Sequence, residues 1–243
     1  MTRLSVNLNK IALLRNQRTI DIPNVIASAR TCIQAGAHGI TVHPRPDERH
    51  IRRSDVYDLA EMLTVEFNIE GNPFPEFMDL VRDVKPDQCT LVPDAPEAFT
   101  SDQGWDLARD AERLKPIIQD LKDLGIRVSL FMDHDSDLIP RAKEIGADRI
   151  ELYTEPYATA FREDRDLETV FQAYACAAKI AQDAGLDVNA GHDLNLENLD
   201  KFCSIPGIAE VSIGHALIAE ALEMGLHNTV TAYLKILEGS GKR

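Results

Sequence analysis

The side chains best suited to moving protons in this sequence stand at recurrent places, the polar ends of short β-rich runs. His43 follows Gly39-Ile40-Thr41-Val42, His192 follows Val188-Asn189-Ala190-Gly191, and His215 follows Ser212-Ile213-Gly214. Glu70 closes Phe67-Asn68-Ile69, and Glu151 lies in Ile150-Glu151-Leu152-Tyr153. Histidine and carboxylate exchange protons near neutral pH, as dehydrations and enolisations require. A lone histidine is most often an ordinary core or surface residue. Three of seven at equivalent strand ends, joined by two glutamates, point instead to one shared mouth.

A second set of residues suits anions. Gly191 and Gly214 follow the last two runs, where glycine lets backbone N–H groups approach a phosphate. The segment Arg45-Pro46-Asp47-Glu48-Arg49-His50, with Arg15 and Arg18, forms a second basic locus. Two anion sites imply two phosphorylated substrates or one bisphosphate. Lys10, the one lysine near a strand end, is expected to act on a phosphate or carbonyl by charge and not as an imine, because nothing around Ile11 and Ala12 desolvates it. No H-x-H pair suggests a metal site, and Asp133-His134-Asp135 reads as a solvated turn. No nucleotide-binding glycine fingerprint follows any strand.

Positioning such residues around one mouth requires strands that all point the same way. Residues 4–7, 39–43, 66–70, 88–92, 127–133, 149–153, 187–190 and 210–213 are predicted as strands. Residues 23–35, 54–64, 75–84, 105–124, 138–145, 167–184, 196–204 and 216–237 are predicted as helices. Gly36, Gly125, Gly146 and Gly185 stand at predicted helix exits, where a left-handed residue ends the helix. Eight β/α units predict a single-domain (β/α)8 barrel over residues 1–243, with an open doubly wound sheet as runner-up. The long connections 92–105 and 154–166 are candidates for extra short helices or mobile lids.

Composition narrows the partners. The chain has 243 residues, 44% hydrophobic and 27% charged, within the ordinary globular range. Its net charge of −14 makes it a poor ligand for nucleic acid or anionic membrane. Residues 1–53 nevertheless carry a net +6, leaving −20 for the remainder, which favours a local anion site. No apolar run approaches a membrane span and no signal-peptide pattern opens the chain, so a cytoplasmic protein is expected. Cys32, Cys89, Cys176 and Cys203 stand apart in apolar contexts and are expected to be buried thiols.

At these residues the chain resembles the pyridoxine 5′-phosphate synthase family. The likeness is carried by residues 7–18, by Gly39-Ile40-Thr41-Val42-His43-Pro44-Arg45-Pro46-Asp47-Glu48-Arg49-His50-Ile51 and by Asn68-Ile69-Glu70. It continues in Leu91-Val92-Pro93, Val188-Asn189-Ala190-Gly191-His192 and Ile213-Gly214-His215-Ala216. The resemblance implies a β/α barrel that condenses 3-amino-2-oxopropyl phosphate with 1-deoxy-D-xylulose 5-phosphate. Inorganic phosphate and water are released, with no metal or organic cofactor. It implies proton-transfer roles for His43, Glu70 and His192. It implies substrate and phosphate contacts for Asn7, Arg18, Arg45, His50, Thr100, Gly191, Gly214 and His215, and a further active-site acid at Glu151. A homo-oligomer, an octamer built from dimers, is also implied. Two departures stand out: Asn9-Lys10 replaces the commoner Asp-His, and Tyr153-Thr154-Glu155 replaces His-Thr-Gly. The competing readings are another phosphosugar isomerase or lyase on the same scaffold, and a phosphate-ligand binding protein without catalysis.

Overall fold

Every predicted β-rich run is a strand, and the strands close on themselves in sequence order. The computed structural model describes residues 1–240 apart from Glu97 and Phe99. The strands are β1 (Arg3–Asn7), β2 (Gly39–Val42), β3 (Glu66–Gly71), β4 (Gln88–Leu91), β5 (Arg127–Met132), β6 (Arg149–Tyr153), β7 (Asp187–Gly191) and β8 (Ile208–Ile213). All neighbours are parallel, and β8 pairs back onto β1 from Arg3↔Glu210 to Val6↔Ile213. The closed barrel therefore holds and the open sheet does not. Residues 241–243 of the expected unit lie outside the described residues.

The helices around the barrel are α1 (Asn9–Asn16), α2 (Val25–Gln34), α3 (Arg53–Met62), α4 (Pro75–Val84), α5 (Leu107–Asp123), α6 (Ile139–Glu144), α7 (Glu155–Glu163), α8 (Leu167–Asp183), α9 (Leu199–Phe202), α10 (His215–Met224) and α11 (Leu226–Ser240). The glycine exits behave as expected, with φ between 81° and 103° at Gly36, Gly125, Gly146 and Gly185. Helix α7 lies in the long connection after β6. The described part of the connection after β4 contains no helix, and Glu97 and Phe99 within it lie outside the described residues. Three predictions need correction. Helix α1 follows β1 almost at once, where only a loop was expected. Helix α9 is a single turn, because Asn195 and Asn198 side chains accept backbone N–H groups around it and hold the preceding segment in turns. The last predicted helix is two, broken at Gly225 with φ 77°.

The period of two along each strand sorts side chains by face. Leu4, Val6, Ile40, Val42, Ile69, Leu91, Leu130, Ile150, Leu152, Val188, Val211 and Ile213 are fully or almost fully buried, in one core with the helices. The alternate residues fill the interior and are largely polar. Ser5 pairs with Thr41 at 2.7 Å, Thr90 donates to Asn68 at 3.1 Å, and Arg149 donates to Gln88 and Asn189 at 3.2 and 3.3 Å. Continuing the alternation upward brings Asn7, His43, Glu70, Glu151 and Gly191 to the C-terminal mouth.

Cys32, Cys89 and Cys203 are buried, but Cys176 is exposed, contrary to expectation, because α8 turns it outward. Among the described residues no helix is long and apolar enough to cross a membrane.

Candidate active site

The site is assembled from the ends of four strands and the first turn of α1. His43 stands just beyond β2, Glu70 near the end of β3, Glu151 in β6 and His192 just beyond β7; the first three are buried and His192 is half-buried. The His43 and His50 rings lie edge to face, 6.3 Å apart. Burial, then the charges of Arg45, His50, His192 and Arg49, hold His43 well below the usual histidine range. Burial likewise lowers His192 against the opposing carboxylates Asp193 and Asp94. Burial, then Arg45 and Lys10, pushes His50 down to about 4. Its Nδ1 accepts the Ile51 N–H at 2.9 Å, which places the proton of the neutral ring on Nε2.

The carboxyls move the opposite way. Burial raises Glu70 to about 8; Asp94 adds to this, and Arg45 opposes it. Glu70 Oε2 accepts a hydrogen bond from Asn7 Nδ2 at 3.3 Å. Glu151 is raised well above the carboxylate range by burial, then by Glu70 and Glu210, and its Oε2 meets no hydrogen-bond partner. Two buried acids that feel each other's charge favour neutrality in at least one of them. The mouth therefore holds protonatable carboxyls and neutral imidazoles together, the state in which protons can be both donated and accepted near pH 7.

His192 carries the least ordinary backbone, with φ 79°, and Asp193 follows at 55°. Such a conformation is costly for a residue with a Cβ and is held by its surroundings. Thr154, buried after β6, donates its backbone N–H to the Gly191 carbonyl at 2.9 Å, and its hydroxyl faces the carbonyls of Gly191 and His192. The imidazole packs against Phe131 and Tyr153, each with its ring centroid 5.3 Å away. Gly191 has a structural requirement of its own. A Cβ there would lie 2.2 Å from Glu151 Oε1, so the space left by the missing side chain is taken by the acid.

The basic locus divides on inspection. Arg15 is not available to a ligand. It is buried, holds both oxygens of Asp55 at 2.6 and 2.8 Å, and donates to the His50 carbonyl at 3.0 Å. Arg49 pairs with Asp47 and reaches the carbonyls of Ala98 and Pro96, tying the loop after β2 to the loop after β4. Arg45 stays at the mouth, paired with Asp94 Oδ2 at 2.6 Å, and Ser101 donates to the same oxygen at 2.6 Å. Lys10, half-buried in α1, lowers both His50 and His192, so its ammonium belongs to this cluster. Arg18, Thr100 and His215 are exposed, and the described hydrogen bonds draw none of them into the buried group. Gly214 packs behind Asn7, whose Cβ a Gly214 Cβ would meet at 3.2 Å.

A cavity of about 470 Å³ opens on the His43 side of the mouth, with His43, Arg45, Asn72, Phe77, Asp94 and Pro96 in its wall; Glu70, Glu151 and His192 do not line it. That is room for a small phosphorylated molecule. Among the described residues no group of three or more His, Cys, Asp or Glu is arranged to hold a metal ion. The stretch Asp133-His134-Asp135 is a turn with Asp135 exposed, as expected, but Asp133 and His134 are half-buried and not solvated. Asp133 accepts the Gly104 N–H at 3.0 Å, and His134 stacks on Tyr174 at 4.2 Å. In the sequence Asp94 shows no role, and Asn9 and Thr154 stand out only within departures from the family pattern, without their contacts to His43 and to the Gly191 and His192 carbonyls. Asp94 lies just past a strand end, yet an Asp in a polar loop ordinarily signals a turn.

A family model described as pyridoxal phosphate biosynthesis protein PdxJ matches residues 4–239. The pyridoxine 5′-phosphate synthase of Porphyromonas gingivalis is 55% identical over 234 residues, covering 96% of this chain and 98% of that one. The enzyme of the same name from Christiangramia forsetii is 53% identical over 239 residues, covering 98% and 100%. Among solved structures, thiamine phosphate pyrophosphorylase from Pyrococcus furiosus superposes with TM-score 0.63 at 13% identity, covering 98% of this chain and 96% of that one. Phosphoribosyl anthranilate isomerase from Thermus thermophilus does so with 0.62 at 13%, covering 98% and 99%. At such identities the structures speak for the barrel alone.

Proposed function

The chain belongs to the PdxJ family of pyridoxal phosphate biosynthesis proteins and is an enzyme, and from that premise we propose that it condenses 3-amino-2-oxopropyl phosphate with 1-deoxy-D-xylulose 5-phosphate. The products are pyridoxine 5′-phosphate, inorganic phosphate and water. Joining an amine to a carbonyl and closing a ring both expel water. Each therefore needs a proton delivered to a departing oxygen and another taken from nitrogen or carbon. One observation carries the reading: neutral His43 and His192 and a largely protonated Glu70 share one buried mouth with the cations Lys10 and Arg45.

In this reading Glu70 gives up and recovers a proton, while His43 and His192 accept and return protons as unprotonated imidazoles. Glu151, neutral beneath them, donates a hydrogen bond to oxygen as negative charge develops there. Lys10 and Arg45 attract the phosphates, and Arg45 is shared between Asp94 and substrate. Asn7, His50, Gly191 and Gly214 line the approach. Arg18, Thr100 and His215, exposed in the single chain, are further substrate contacts, and the chain assembles into a homo-oligomer.

The test is to incubate the purified protein with both ketone phosphates and with each alone. Pyridoxine 5′-phosphate and an equimolar amount of inorganic phosphate are expected only from the pair. Turnover of one compound alone would favour an isomerase or lyase instead.

A further inference from the structure

Asn9 belongs to neither the proton-transfer set nor the anion sites, yet its contacts run to both ends of that set. Its Oδ1 accepts the backbone N–H of His43 at 2.9 Å. Its own N–H donates to Asn7 Oδ1 at 2.9 Å, and Asn7 Nδ2 donates to Glu70 Oε2 at 3.3 Å. Each orientation is forced, because a backbone N–H can only donate. The oxygen of Asn9 must face His43 and that of Asn7 must face Asn9, which leaves the Asn7 nitrogen for Glu70. The result is an unbroken path from Glu70 through Asn7 and Asn9 to His43, joining the ends of β3, β1 and β2.

We propose that Asn9 is a positioning residue for the ring-closing reaction, fixing the backbone of His43 so that its imidazole stays in register with Glu70. The proposal rests on the reading of His43 and Glu70 as proton-transfer groups. The ladder explains why such a tether is needed. The β2–β3 register ends at Val42↔Ile69 and the β1–β2 register at Asn7↔Thr41, so the His43 N–H lies beyond both. A buried backbone N–H requires a partner, and Asn9 supplies it. The amide also suits the place. An aspartate would accept the same N–H but would add another negative charge where Glu70, Asp94 and Glu151 already crowd together. The Asn9-Lys10 departure thus keeps the acceptor and leaves the charge to Lys10, a cation.

The experiment pairs Asn9→Leu, which keeps the size and removes the acceptor, with Asn9→Asp, which restores it. Amide hydrogen exchange is followed by NMR in the unliganded protein, and kcat and KM are measured with both substrates. For Asn9→Leu, exchange at the His43 amide is expected to quicken about tenfold or more while Ile40 and Val42 keep their protection. Its kcat should fall roughly tenfold to a hundredfold, with KM within about twofold, the signature of misplaced groups and not of lost binding. Asn9→Asp should recover the protection of His43 and, at the optimum of its own pH profile, most of kcat. Unchanged exchange at His43 in Asn9→Leu, or a kcat loss that Asn9→Asp fails to recover, would overturn the proposal. Failure of the proposed reaction itself looks different: the wild-type protein would be inert with both substrates, while the exchange measurement would still report on Asn9.

Discussion

Glu70 stands where opposing influences meet. Burial and Asp94 favour its neutral form, Glu210 adds to them, and Arg45 and the Asn7 hydrogen bond favour the charged one. With its pKa raised to about 8, the group is protonated through neutral pH, and kcat/KM should fall as pH rises through that value if it serves as the acid. Asp94→Asn removes a negative neighbour and frees Arg45 to act more fully on Glu70. Both effects lower the Glu70 pKa, so the falling limb should move toward acid. A pH profile of Asp94→Asn that overlays the wild type would detach Asp94 from the site. At this scale the sequence was legible where a residue type speaks for itself, as His43, Glu70 and His192 do at strand ends. It was opaque where a role depends on a partner remote in sequence. Asp94 matters through Arg45 and Glu70, and the role of Arg15 was misread for the same reason, because Asp55 lies 40 residues away.

The ion pair between Arg15 in α1 and Asp55 in α3 illustrates how elements hold the site in place. Asp55 also accepts the Arg52 N–H at 2.8 Å, capping α3, and Arg15 braces the His50 carbonyl. Asp55→Ala would leave a buried guanidinium without its counter-charge and the helix without its cap. A stability loss of about 3 kcal/mol or more is expected from urea unfolding. A loss below ~1 kcal/mol, the worth of an exposed pair, would contradict the buried reading. The alternation of elements was visible from the period of two in the strands, the helical period and the four glycine exits. Boundaries failed where side chains compete with the helix backbone, as at Asn195 and Asn198 before α9. They failed also where a single glycine, Gly225, divides one apolar periodicity into two helices. Helix α1 is not evident in the sequence because only Leu8, which cannot cap the helix with its side chain, separates it from β1.

On the scale of the whole barrel, sorting by strand face explains why one mouth collects the chemistry. Apolar residues face the helices, polar residues face the interior, and the topmost interior positions become Asn7, His43, Glu70 and Glu151. Parallel strands all end on the same side, so groups more than a hundred residues apart in sequence meet there. The field of the molecule adds to this. In a chain of net charge −14, Lys10 and Arg45 bring cations to this mouth, and in the proposed reaction they draw a phosphate inward. The central claim is that protons move through side chains of this one mouth during ring closure, and Glu70→Gln tests it most directly. The amide preserves shape and hydrogen bonding but cannot exchange the proton. With both ketone phosphates supplied at pH 7, the account predicts a fall in kcat of ~10²-fold or more while both KM values stay within about threefold of wild type. A Glu70→Gln enzyme that forms pyridoxine 5′-phosphate at the wild-type rate would contradict it.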